Sequence, residues 1–161
     1  MVHIFSFQPF YTNYISQPTS YEPSSHPLHN NPKFWPFFQY ALGAIDGSHI
    51  HFAPPVFKQA VYRNRKGFTS QNCLFGCTFQ LLFTYALTGW EGSAADAWVY
   101  NNAIVTDLVI SKDWYYLADA GFPHCDKLLV PYRGVRHHLA EWGRSKERYV
   151  LLSLIYILKC L

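Results

Sequence analysis

From Gly43 to Ala118 the chain alternates short apolar runs with turn residues, a pattern of strands more than of long amphipathic helices. Gly43 to Asp46 reads as a first strand, and His49 to Phe52 extends its turn or opens a second edge. Asn72 to Phe79 and Leu81 to Leu87 are β-favouring runs with almost nothing between them, which predicts two antiparallel neighbours. Three adjacent antiparallel strands result. Gly92-Ser93 then offers a helix start, with Ser93 as N-cap and Asp96 placed to complete a capping box at the positive end of the helix. The helix is predicted from Ala94 to about Ile110. Tyr115 to Ala118 follows as a further strand that feeds Asp119 into a loop. The fold class is therefore α/β with a mixed sheet.

The flanks read differently. Pro18 to Pro36 carries Pro, Ser, Asn and His with little periodicity, an extended lead-in and not a packed element. Pro131 to Arg136 reads as a rigid turn with basic side chains, and Leu139 onward as helical. The expected organisation is a lead-in over 1–33, a core over 34–144 and a divergent apolar tail over 145–161.

A chain of 161 residues, half of them apolar, is one domain with enough bulk for a core. Its aromatic share of 19% suits strands and strand-helix packing. Cys73, Cys77, Cys125 and Cys160 show no Cys-x-x-Cys spacing and read as reduced thiols. Met1 to Pro18 lacks a cationic opening and a cleavage site, and Tyr149 to Leu161 is too short to cross a bilayer. The expectation is a soluble, intracellular chain without a membrane role.

The net charge of +3 is too mild to argue for nucleic acid by itself, but its placement matters. Lys58, Arg63, Arg65 and Lys66 fall within nine positions, and Arg133, Arg136, Arg144, Lys146 and Arg148 gather late. Arg63, Arg65 and Lys66 alternate with Tyr62 and Phe68, an arrangement that grips phosphates and stacks on sugar or base, or else forms a solvated basic face.

Two short stretches carry the chemistry. Ala44-Ile45-Asp46-Gly47 delivers a carboxylate at the end of an apolar run, and Tyr116-Leu117-Ala118-Asp119 repeats the plan before Gly121. Hard divalent cations want oxygen ligands held on rigid elements, so Asp46 and Asp119 are the candidate metal ligands of a phosphoryl-transfer site. Asp96 and His49 are placed near that site, Asp96 chiefly as a helix cap and His49 as a substrate contact or a hydrogen-bonded structural residue.

Gly43 to Ile50, Tyr62 to Phe68 with Ser70-Gln71-Asn72, Phe83-Thr84-Tyr85, Gly89 to Asp96, Tyr115 to Gly121, and Pro131 to Arg136 with His138-Leu139 and Glu141-Trp142 resemble, in order, the DDE-superfamily endonuclease domain of PIF/Harbinger-type transposases and their domesticated nuclease relatives. The resemblance implies a ribonuclease H-like fold and a nucleus-located enzyme that hydrolyses or transfers DNA phosphodiesters. It further implies Mg²⁺ or Mn²⁺ held by two Asp and a Glu, with Asp46 the first and Asp119 the second. Arg133 and Arg136 join Arg63, Arg65 and Lys66 as DNA-backbone contacts. Because the chain has no helix-turn-helix or zinc-finger pattern, a separate DNA-binding partner protein is expected.

The chain departs from that family after Gly143. The Asn-x-x-Glu-Arg motif that carries the third acid, followed by Phe-Gly, has no counterpart, and Glu147 is the nearest substitute. The sequence thus reads as a C-terminally truncated copy whose nuclease is impaired. The alternative is a non-catalytic DNA-binding or protein-interaction remnant of a transposase.

Overall fold

The computed structural model describes residues 11, 13–22, 25–32 and 34–131 of the chain. Five strands form one mixed sheet: β1 (Ala41–His51), β2 (Ser70–Cys77), β3 (Phe83–Glu91), β4 (Tyr115–Leu117) and β5 (Leu128–Leu129), in the order β3-β2-β1-β4-β5. The β1-β2 and β2-β3 pairs are antiparallel, whereas β4 lies parallel to β1 and β5 parallel to β4. The sheet therefore goes beyond three antiparallel strands and one follower, because it grows on both sides of β1. A 3₁₀ turn (Val56–Lys58) runs into the short helix α1 (Gln59–Tyr62), and the crossover from β3 to β4 carries helix α2 (Asp96–Thr106).

β1 does not stop at Asp46. β2 pairs with it from Ala44↔Cys77 to His51↔Ser70, so hydrogen bonding carries the strand five residues past the aspartate. β4 pairs only with Ala41, Gly43 and Ala44. Beyond Ala44, β1 thus has a strand neighbour on one side alone, and burial falls off from Asp46 onward.

α2 differs from expectation at both ends. Its N-cap is Ala95, with no side-chain cap hydrogen bond, so the Ser93–Asp96 capping box does not form. The reason is competition: the Asp96 carboxylate accepts from Asn72 Nδ2 at 2.9 Å. The helix ends at Thr106, where Asp107 leaves helical geometry and accepts a 2.6 Å hydrogen bond from the Tyr85 hydroxyl.

A register shift between Ala41 and Gly43 interrupts strict alternation, so β1 feeds the two sides of the sheet at three-residue spacing. Leu42 and Ile45 pack with Leu74, Tyr85, Tyr116 and the α2 residues Val99 and Ala103, while Ala41, Ala44 and Leu117 form a smaller cluster on the opposite face with Phe38, Phe79 and Tyr115. Each fully buried Leu, Ile or Val among them contributes roughly 1.5–3 kcal/mol by leaving water. Tyr116 is buried without penalty to its hydroxyl, which donates to Thr84 Oγ1 at 3.2 Å. Cys73, Cys77 and Cys125 are free thiols, the first two buried.

The lead-in is packed where it is described. His26 and Leu28 are buried, and Tyr21 donates to the Leu42 carbonyl at 3.3 Å. The sequence hid this because the contacts are single aromatic and imidazole side chains without periodicity. No helix among the described residues is long and apolar enough to cross a membrane.

Candidate functional site

The two candidate carboxylates lie just past the last residue pair of the parallel β1–β4 ladder. Ala44 pairs with Leu117 across the parallel β1–β4 ladder, and two residues further along each chain come Asp46 and Asp119. Asp46 faces Phe75 of β2 and lies on the face of Ala44, away from α2. Asp119 comes two residues after Leu117, past the end of β4, in the loop where Gly121 borders Asp96. β1 is also the strand at which connections switch direction, with β2 and β3 to one side and β4 and β5 to the other. In open sheets, such a switch point leaves a crevice at the strand ends. Each carboxylate is steadied by a nearby backbone donor: Gly47 N–H donates to Asp46 Oδ1 at 2.9 Å, and Gly121 N–H to Asp119 Oδ1 at 2.7 Å.

Asp96 stands against both glycines. A β-carbon on Gly47 would lie 2.1 Å from Asp96 Oδ1, and one on Gly121 would lie 2.9 Å from Asp119 Oδ1 and 3.5 Å from Asp96 Oδ2. Only hydrogens at these two positions leave room for the carboxylates. Asn72, 1% exposed, fixes the arrangement by donating from Nδ2 both to Asp96 Oδ1 at 2.9 Å and to the Ala94 carbonyl at 3.0 Å. Its role was missed in the sequence; the available signal was an amide directly before the apolar half of β2.

His49 lies on the opposite face from Asp46, paired with Asn72, and its Nδ1 lies 3.1 Å from the Ser70 hydroxyl. That contact favours its structural role. Arg63, Arg65 and Lys66 are exposed on a tight loop organised by Asn64, a second residue missed in the sequence. Buried Asn64 accepts at Oδ1 from the backbone N–H of Lys66 at 3.0 Å and of Phe68 at 3.3 Å, and donates from Nδ2 to Ser70 Oγ at 3.1 Å. Arg63 closes the loop from outside, donating to the Gly67 carbonyl at 2.7 Å. Arg133, Arg136 and Glu147 lie outside the described residues.

The donors gathered here are hard carboxylate oxygens, the chemistry Mg²⁺ and Mn²⁺ require, and Gly121 keeps the space between Asp96 and Asp119 clear. Among the described residues, however, no three His, Cys, Asp or Glu side chains come together closely enough to hold a metal ion. A family model described as DDE superfamily endonuclease matches residues 45–151, a span that takes in Asp46, Asp96, Asp119 and Glu147. No curated protein and no solved structure matches the chain.

Proposed function

Because this chain belongs to the DDE superfamily endonuclease family, we propose that it is a transposase-derived, divalent-metal-dependent nuclease domain that hydrolyses or transfers DNA phosphodiesters. The single observation that carries the reading is the Ala44–Leu117 pair of the parallel β1–β4 ladder, with Asp46 and Asp119 each two residues beyond it in the chain. The central β1, antiparallel to β2 and parallel to β4, supports a ribonuclease H-like arrangement, and the ordered motifs support the PIF/Harbinger branch. By that family resemblance the proposal extends to action in the nucleus, with a separate protein supplying sequence-specific DNA binding.

Asp46 and Asp119 are the residues that would hold Mg²⁺ or Mn²⁺, with Glu147 as third acid. A bound ion would supply Lewis-acid stabilisation and a lowered pKa for the attacking water. The chain's own part is to orient. The Gly47 and Gly121 amides fix the two carboxylates, and Arg63, Arg65, Lys66, Arg133 and Arg136 bind backbone phosphates without reading sequence.

A second reading, a DNA-binding remnant with little or no cleavage, rests on the lack of an Asn-x-x-Glu-Arg motif after Gly143. Misplacement of a reacting group by about 1 Å costs about 10²-fold in rate, so a loosely placed third acid is enough to impair the enzyme. A plasmid-nicking assay with Mg²⁺ or Mn²⁺ decides. Weak nicking that vanishes in Asp119→Asn and in Glu147→Gln supports the impaired nuclease; no nicking by a folded, DNA-binding chain supports the remnant; robust nicking untouched by Asp119→Asn overturns the assignment.

A further inference from the structure

Tyr62 and Phe68 are the rings that the basic motif offers for base stacking, and in the structure both are occupied. Tyr62 packs on Phe52 at a centroid distance of 5.0 Å, and Phe68 stacks on His51 at 4.3 Å with an interplanar angle of 22°. The open ring on this side of the molecule is Phe57, 82% exposed, beside Val56 at 84%. Val61 follows at 47% exposure, and neither the 3₁₀ turn nor α1 contains a buried residue. A single exposed apolar side chain is ordinary, but three on one seven-residue segment that buries nothing form a patch.

Charge identifies what covers it. Lys58 Nζ lies 5.9 Å from the Phe57 ring centroid, and Arg63, Arg65 and Lys66 follow α1 directly. From Gly47 to Trp90 the chain has these four cations and no Asp or Glu. An apolar ring set in a stretch of unmixed positive charge suits a polyanion with flat apolar faces, namely a nucleic acid strand.

We infer that residues 56–66 form a nucleic-acid arm in which Phe57 stacks on an unpaired base while Lys58, Arg65 and Lys66 neutralise flanking phosphates. This rests on the DNA reading above and goes beyond it by naming the substrate feature. In an intact duplex every base face is already stacked, so Phe57 engages DNA where pairing is interrupted: a nick, a hairpin or a frayed end. Phosphate contacts alone give no such preference.

The test is anisotropy-measured affinity of the full chain for an oligothymidylate and for a blunt duplex of equal length. Phe57→Ala should weaken single-strand binding about tenfold, leave duplex binding unchanged and keep the salt slope. Phe57→Trp should restore affinity, with tryptophan emission quenched by the strand beyond the wild-type change. Arg65→Ala with Lys66→Ala should weaken both ligands and flatten the slope. Unchanged single-strand affinity in Phe57→Ala overturns the inference while the arginine-lysine variant still reports on the DNA reading. Reduced self-association by sedimentation in that variant, with DNA binding intact, assigns the patch to a second copy and likewise overturns it. A wild type that binds neither ligand removes the DNA reading and the arm together.

Discussion

Asp96 rests on Gly47: a β-carbon at position 47 would come within 2.1 Å of its Oδ1. The contact ties the first residue of α2 to the strand position next to Asp46, and Asn72 Nδ2 holds it there at 2.9 Å. Gly47→Ala must therefore swing Asp96 away and leave the Asn72 amide with one acceptor fewer. Overpacking and the lost charge-assisted bond should cost about 1–3 kcal/mol in a urea melt. Adding Asp96→Ala should recover part of that loss, since the clash is between these two residues. Strict additivity in the double mutant would show that they do not meet.

Asn64 should be the residue on which the basic loop depends. Its amide makes three hydrogen bonds within the loop and to Ser70 while 6% exposed, so Asn64→Ala leaves the Lys66 and Phe68 N–H groups without their side-chain acceptor. A loss of about 1–3 kcal/mol is expected. Trypsin should then cut after Arg65 and Lys66 faster than in the wild type. Equal cleavage rates would mean that the loop holds its shape without Asn64.

What the sequence made legible was the apolar periodicity. The runs at Asn72–Phe79 and Leu81–Leu87 became β2 and β3 because alternation and β-branched or aromatic content act locally. The length of β1 was not legible, since its extension past Asp46 depends on a partner more than twenty residues away, with Asp46 opposite Phe75. Nor was the failure of the Ser93 cap, which turns on a tertiary bond from Asn72. β5 is two residues long and leaves no periodic signal at all. Of the candidate site, the carboxylates were readable as residue types at run ends; the amides that hold Asp96 and the basic loop were not, because a single buried Asn looks like any turn residue until its partners are known.

His26 should make stability fall in mild acid. Leu28 N–H donates to its Nδ1 at 3.1 Å, so Nε2 carries the proton and donates to the Ala41 carbonyl at 3.1 Å. Burial, the largest influence, pushes its pKa below the ordinary 6.5, partly offset by the bond to Ala41 and aided by nearby His29. The unfolded chain therefore takes up this proton at a higher pH than the folded one. Its contribution is complete above about pH 6.5 and is lost as pH falls through the lowered folded value. Urea midpoints between pH 7.5 and 5 should drop more in the wild type than in His26→Gln; parallel curves would remove His26 as the source.

At the alkaline end the same reasoning runs through the buried thiol. Burial pushes Cys77 up to about 11, against an ordinary 9.0, while the hydrogen bond with Ala44 opposes the shift. The unfolded thiol ionises first, so stability should decline from pH 9 and continue to fall through about 11. Cys77→Ala should flatten that part of the profile, although the cavity lowers stability at every pH by about 1 kcal/mol or more. Cys77 should also resist alkylation in native protein at pH 8 and react at once in urea. Rapid native alkylation at that position would show that β2 opens locally.

Metal binding is the prediction on which the proposed chemistry stands. Asp46 and Asp119 each stand two residues beyond the Ala44–Leu117 pair in the chain, and if the proposed site forms, its carboxylates repel until a cation neutralises them. Mn²⁺ relaxation should therefore show a site in the wild type that Asp46→Asn and Asp119→Asn each weaken at least about tenfold, the cost that even outer-shell changes carry. Asp96 reaches the same space at Gly121 from the other side, 3.5 Å from where a β-carbon would sit. Since Asn72 already occupies one of its oxygens, Asp96→Asn should cost less than either strand aspartate. A loss equal to theirs would place Asp96 among the donors, and equal Mn²⁺ affinity in the wild type and the Asp46→Asn, Asp119→Asn double mutant would remove both aspartates from the site.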